Sequence, residues 1–160
     1  MSKIKLNVVR TSKDIIFDSV FLALTVAVWG IIIWLISQAP DIVPTHFGPS
    51  GKPDAYGSPT HHVIPLVVMT LAALLCAFSI YLPFGGVNLP FVEGEGNPRQ
   101  KRLGVLLMRI FALLILLIML FIAVFSLAMN HHDSILPVVI ILSVVFGVTI
   151  VFTVLMYRAR

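Results

Sequence analysis

Five histidines are the side chains in this sequence best suited to chemistry: His46, His61, His62, His131 and His132. Asp41, Asp54 and Asp133 lie close to them in sequence. Imidazole and carboxylate together are ligands for zinc or copper. His61-His62 precede one apolar run and His131-His132 follow another. If those run ends are neighbours, two imidazoles could meet His46 or Asp133 around a metal ion. The competing reading is interfacial, because histidine suits a membrane surface with its polar tip in water. Adjacent histidines on a helix point about 100° apart, so one of each pair would be spare. For His46 the plain alternative is a loop side chain bonded to nearby backbone.

The elements that would position these groups follow from composition. The 160 residues are 59% hydrophobic and 11% charged. Soluble domains average about 25% charged, and a chain this short cannot bury so much apolar surface, so the excess must face lipid. Four apolar runs predict transmembrane helices over about 16–38, 62–83, 106–130 and 135–157, each near the roughly 20 residues a span needs. The fold class is therefore an all-α integral membrane protein, because helices satisfy their own backbone in hydrocarbon. Residues 1–160 form one domain. The first run is too long for a cleaved signal and serves as an anchor. Ala23, Ala27 and Gly30 form a small-residue stripe in it, and Ser143 and Gly147 a second in the last run. Either stripe suits close approach of another helix, and the plain alternative is ordinary small-residue content.

Basic residues set the expected orientation. Lys3, Lys5, Arg10 and Lys13 precede the first run; Arg99, Lys101, Arg102 and Arg109 precede the third; Arg158 and Arg160 follow the last. The opposite face has Lys52 alone. The positive-inside rule then places both termini in the cytoplasm. The net charge of +4 thus reflects topology rather than nucleic-acid binding. Asp18 and Arg109 sit at the cytoplasmic edges of their helices, where they either pair or snorkel to the headgroups. The helix centres carry no ionisable group, which argues against a carrier, pump or intramembrane protease. Cys76, the single cysteine, excludes an intrachain disulfide and leaves the redox compartment open.

Between the first two runs lies Gln38–His62, with five of the ten prolines. Proline stops helix formation there. Residues 39–61 read as an ordered Pro/Gly-rich extracytoplasmic loop without regular structure, with Phe47 and Tyr56 buried on the helix ends. Pro53-Asp54-Ala55-Tyr56-Gly57 reads as a turn, with Asp54 bonding the backbone and Gly57 at positive φ. No Lys-Ser/Thr pair completes a phosphate loop, and neither H-E-x-x-H nor G-x-S-x-G occurs. No nucleophile with a paired base is evident, so the expected protein is non-enzymatic.

Pro44-Thr45-His46-Phe47 and Gly51-Lys52-Pro53-Asp54-Ala55-Tyr56-Gly57-Ser58 resemble the pattern P-x-H-[FW]-N-x-x-G-x-P-D-x-[YW]-G-[SA] of the bacterial domain-of-unknown-function family 1648. Pro44, His46, Phe47, Gly51, Pro53, Asp54, Tyr56, Gly57 and Ser58 fall in register, and Gly48 replaces the usual asparagine. A weaker likeness continues through Asn88, Pro90, Asn97, Gln100 and Arg109. The module is similar to the N-terminal part of the SdpI-type immunity proteins, whose longer C-terminal part has no counterpart here. The resemblance implies a bacterial cytoplasmic membrane protein. Its in-register loop residues would contact an extracytoplasmic peptide or membrane-protein partner. The alternatives are a metal-dependent envelope protein built on the histidines and an auxiliary subunit of a larger complex.

Overall fold

A computed structural model describes residues 4–5, 10–81, 86–87, 90–91, 96–128 and 136–159. Four helices dominate: α1 (Ser12–Gln38), α2 (Val63–Phe78), α3 (Pro98–Leu127) and α4 (Leu136–Arg158). Short 3-10 turns, Pro59–His62 and Ser79–Tyr81, extend α2 at both ends. All four helical segments are long and apolar enough to cross a membrane, so this is a multi-pass membrane protein. It is not wholly helical. Strand β1 (Ile4–Lys5) pairs with β4 (Gly86–Val87), and β2 (Val43–Phe47) with β3 (Pro53–Gly57), both antiparallel.

Helix α3 is the hub, flanked by α1 and α2, while α4 is peripheral. The buried residues of α1 are Asp14, Asp18, Phe21, Thr25, Val28, Ile32 and Leu35. Their alternating spacing of four and three is a coiled-coil seam. Ala73 and Ala77 of α2, and Ala112 and Ala123 of α3, are fully buried. Small side chains there let the two backbones approach. Trp29 Nε1 donates to Thr70 Oγ1 at 3.0 Å, and the Thr70 hydroxyl donates to Leu66 O at 2.8 Å. That chain satisfies the buried polar groups of the α1–α2 contact. The stripes expected to mediate helix contact do not do so within this chain. Ala23, Ala27 and Gly30 are exposed, as are Ser143 and Gly147, and a Cβ on either glycine would meet nothing within 4 Å.

Helices α1 and α3 begin before their apolar runs because polar first turns cap them. Asn97 Oδ1 accepts from Gln100 N at 2.9 Å while Gln100 Oε1 accepts from Asn97 N at 2.9 Å, with Pro98 in the first turn. This reciprocal pair is a capping box. Asn97 Nδ2 also donates to Ala159 O at 2.6 Å, tying the end of α4 to the start of α3. Phe91 meets Tyr157 edge-on at 5.5 Å beside it.

Charges at this terminal face are paired, but not as the sequence suggests. Arg109 bonds Asp14 at 2.5 Å, and Asp14 also accepts from the Thr11 amide at 2.7 Å. Asp18 instead accepts from Arg10 at 2.7 Å and from the Tyr81 hydroxyl at 3.0 Å. So Asp18 and Arg109 do not pair with each other, and each is bonded to another group of the protein. Asp14, one helical turn before Asp18, is the nearer partner for Arg109. Aromatic faces complete the cluster: Arg109 lies 4.6 Å from the Phe17 ring centroid and Arg10 5.4 Å from that of Tyr81. The bond to Asp18 raises the Arg10 guanidinium above its ordinary value and keeps it charged.

Candidate functional site: a hairpin over the helix ends

The loop between α1 and α2 is a β-hairpin, not an irregular segment. Its register pairs Val43 with Gly57, Pro44 with Tyr56, His46 with Ala55 and Phe47 with Pro53, with irregularities on either side of His46. A two-stranded ribbon has only edge strands, so Pro44 and Pro53 are tolerated where a wider sheet would reject them. The turn falls at Gly48–Lys52 rather than at Pro53–Gly57. Gly48 N donates to Lys52 O at 2.8 Å, Gly51 N donates to Gly48 O at 2.9 Å, and Gly51 takes φ 79°. That left-handed conformation is why glycine suits position 51. Gly57 has no positive φ; a Cβ there would lie 2.6 Å from His61 Nδ1. Its role is close packing.

Strand β2 faces the bundle. Val43 and Pro44 are buried, and Phe47 packs on Phe125 of α3 at 5.4 Å between centroids. His62 is buried and its Nε2–H donates to Pro44 O at 2.9 Å, latching the hairpin to the start of α2. Ser58 Oγ accepts from Thr60 N at 3.4 Å and caps the 3-10 turn. Strand β3 is the outer strand. Tyr56 is 59% exposed, so its expected burial is wrong, while Phe47 is half-buried. Asp54 does not cap a turn; its Oδ1 meets His46 Nδ1 at 2.5 Å, with both side chains exposed.

The histidines therefore separate. His46 belongs to the exposed His46–Asp54 pair, His62 is the buried latch, and His61 is exposed beside Gly57. His131, His132 and Asp133 lie outside the described residues. Among the described residues, no three His, Cys, Asp or Glu side chains converge as a metal site.

Beneath the hairpin is a cavity of about 350 Å³, lined by Thr45, His46 and Phe47, by His62 of the latch, and by Phe121 and Ser126 of α3, with α4 closing one side. It is of a size that holds small ligands. The latch and this cavity are invisible to sequence patterns, although the half-buried aromatic at 47 and the paired histidines were signals. The arrangement offers binding groups: an imidazole–carboxylate pair and an exposed phenol held rigidly above an apolar pocket.

No curated protein and no solved structure matches the chain. The matching family model is described as a domain of unknown function, DUF1648, and it runs from the middle of α1, through the whole hairpin, into α2. The match to DUF1648 covers residues 23–71 of this chain.

Proposed function

We propose that the chain is a non-catalytic binding module of the bacterial cytoplasmic membrane, in which the β2–β3 hairpin recognises a peptide or an exposed segment of another membrane protein. One observation carries this reading. The hairpin is latched from below by His62 and Phe47, while Asp54 and Tyr56 are exposed on its outer strand and His46 pairs with Asp54 at the mouth of the cavity. Fixing those groups in advance removes the entropy cost of ordering them on contact. An exposed tyrosine is among the side chains enriched at binding hot spots, and here it lies on the strand that carries Asp54. An SdpI-like immunity role, with a secreted toxin peptide as the partner, is one form of this reading.

A photo-reactive phenylalanine analogue at Tyr56 tests it in intact cells. A discrete adduct is expected, and it should vanish with His46→Ala while the protein keeps its thermal unfolding midpoint. An unchanged adduct pattern in His46→Ala, or none at all, would remove the support for recognition at the hairpin.

The orientation we assign puts the hairpin outside and both termini in the cytoplasm, because Arg10, Lys13, Arg99 and Arg102 gather at the opposite end. Ser50 and Ser12 are both exposed, one on each face. An impermeant thiol reagent on intact cells should label Ser50→Cys and spare Ser12→Cys. The reverse pattern would invert the assignment.

A further inference from the structure

The cavity under the hairpin adjoins another deeper along α3. A second cavity of about 160 Å³ lies between α3 and α4, bounded by Leu117, Ile118, Phe121, Ile141 and Val144. Phe121 and Ile141 line both cavities, so the two adjoin along α3 and are together called the crevice. Its upper part carries Thr45, His46, His62 and Ser126, and its lower part is wholly aliphatic and aromatic. Along α3 it runs from Leu114 to Ser126, about 18 Å at the helical rise of 1.5 Å per residue.

Among the described residues, α4 is fully buried only toward its C-terminal end, which leaves the crevice at the other. Phe152, Met156 and Ala159 are buried at the terminal face, whereas Val138, Ile140, Leu142 and Val144 are exposed. Only 6% of the α4 span is buried, against 33% for α3. An apolar gap of this kind excludes water, and left empty it forfeits dispersion contacts along both walls. Inside a bilayer the molecules at hand with matching apolar chains are lipids. The polarity gradient selects the same occupant: hydrogen-bonding groups at headgroup depth, hydrocarbon below.

We infer that the crevice between α3 and α4 is a binding site for one acyl chain of a membrane phospholipid, whose glycerol and head region sits under the hairpin beside Thr45, His46 and Ser126. Lipid bound there links the packing of α4 to the seating of β2. The site stands whether or not the hairpin binds a protein partner.

The test uses the full chain in maltoside micelles with trace phosphatidylethanolamine carrying a diazirine on its acyl chain. Photolabel should concentrate on α3 and α4 and be displaced by unlabelled phosphatidylethanolamine. Ile141→Trp, which fills the crevice, should reduce that labelling about tenfold, the equivalent of ~1.4 kcal/mol. Val144→Trp gives the same readout should Ile141→Trp fail to fold. Leu142→Trp, on the exposed side of α4, should leave labelling intact. Labelling spread evenly over all four helices and not displaceable would mean surrounding lipid only, and would overturn the site. So would undiminished labelling of both crevice-filling variants. Disulfide-linked dimers through Leu117→Cys would place a second copy in the crevice and overturn it equally.

Discussion

Replacing Arg109 with glutamine is expected to destabilise the protein in detergent by about 2–3 kcal/mol, between the values for exposed and buried ion pairs. The side chains of Arg109 and Asp14 are 16% and 9% exposed, so neither is fully solvated. Removing the guanidinium leaves Asp14 with only Thr11 as a hydrogen-bond donor. It also removes the cation over Phe17. Asp14→Asn should cost less, because the amide still accepts from Thr11. The double variant should be more stable than the sum of the two losses predicts, since the second change removes the charge that the first stranded. Thermal unfolding of the four proteins at one detergent concentration gives the cycle. Additive losses would mean that the pair is only a surface contact. Arg109 Nε is the one buried side-chain polar atom without a partner among the described residues. Part of the arginine's hydrogen-bonding capacity is therefore unused, which keeps the expected loss below the upper range for buried pairs.

His62→Ala should loosen the hairpin by about 1–3 kcal/mol, the cost of leaving a buried carbonyl without its donor. The affected acceptor is Pro44 O, and Pro44 is itself fully buried, so water does not readily replace the imidazole. Hydrogen exchange of the β2 amides reports the change locally. Protection at Val43 and Phe47 should fall by tenfold or more, each tenfold being ~1.4 kcal/mol. His61→Ala is the internal control: its ring is exposed and lies beside Gly57 of β3 rather than bonding a carbonyl of β2. Equal exchange in the two variants would show that the latch contributes nothing.

These two histidines show where the sequence was legible and where it was not. Four apolar runs of span length announce four helices, because hydrocarbon tolerates little else. The capping boxes were also readable. Asn97-Pro98-Arg99-Gln100 is a helix start by residue type alone, yet a hydropathy reading begins α3 at 106. Adjacent histidines carry no mark that separates a buried latch from an exposed neighbour; the path of β2 decides. The same holds for small residues. Ala23, Ala27 and Gly30 look as suited to helix contact as Ala73 and Ala77, but only the second pair faces a helix of this chain. The prolines misled in the opposite direction. Reading them as breakers of helix was sound; expecting a loop without regular structure overlooked that a lone ribbon has two free edges on which proline is tolerated. Tyr56 then followed the strand outward instead of packing down.

The family match has a consequence for what can be cut from this protein. Residues 23–71 contain the hairpin, most of the α1 seam and the start of α2, together with the Trp29–Thr70 bond. They lack Ala112, Leu116, Met119 and Ala123, which complete the core, and Phe125, on which Phe47 rests. The matched stretch is thus narrower than the packed core. Excised, it would be a helical hairpin with one wall missing, and a transplanted copy would need a host helix to stand in for α3. Grafts that carry the strands alone would move His46, Asp54 and Tyr56 without the helix ends on which the hairpin rests.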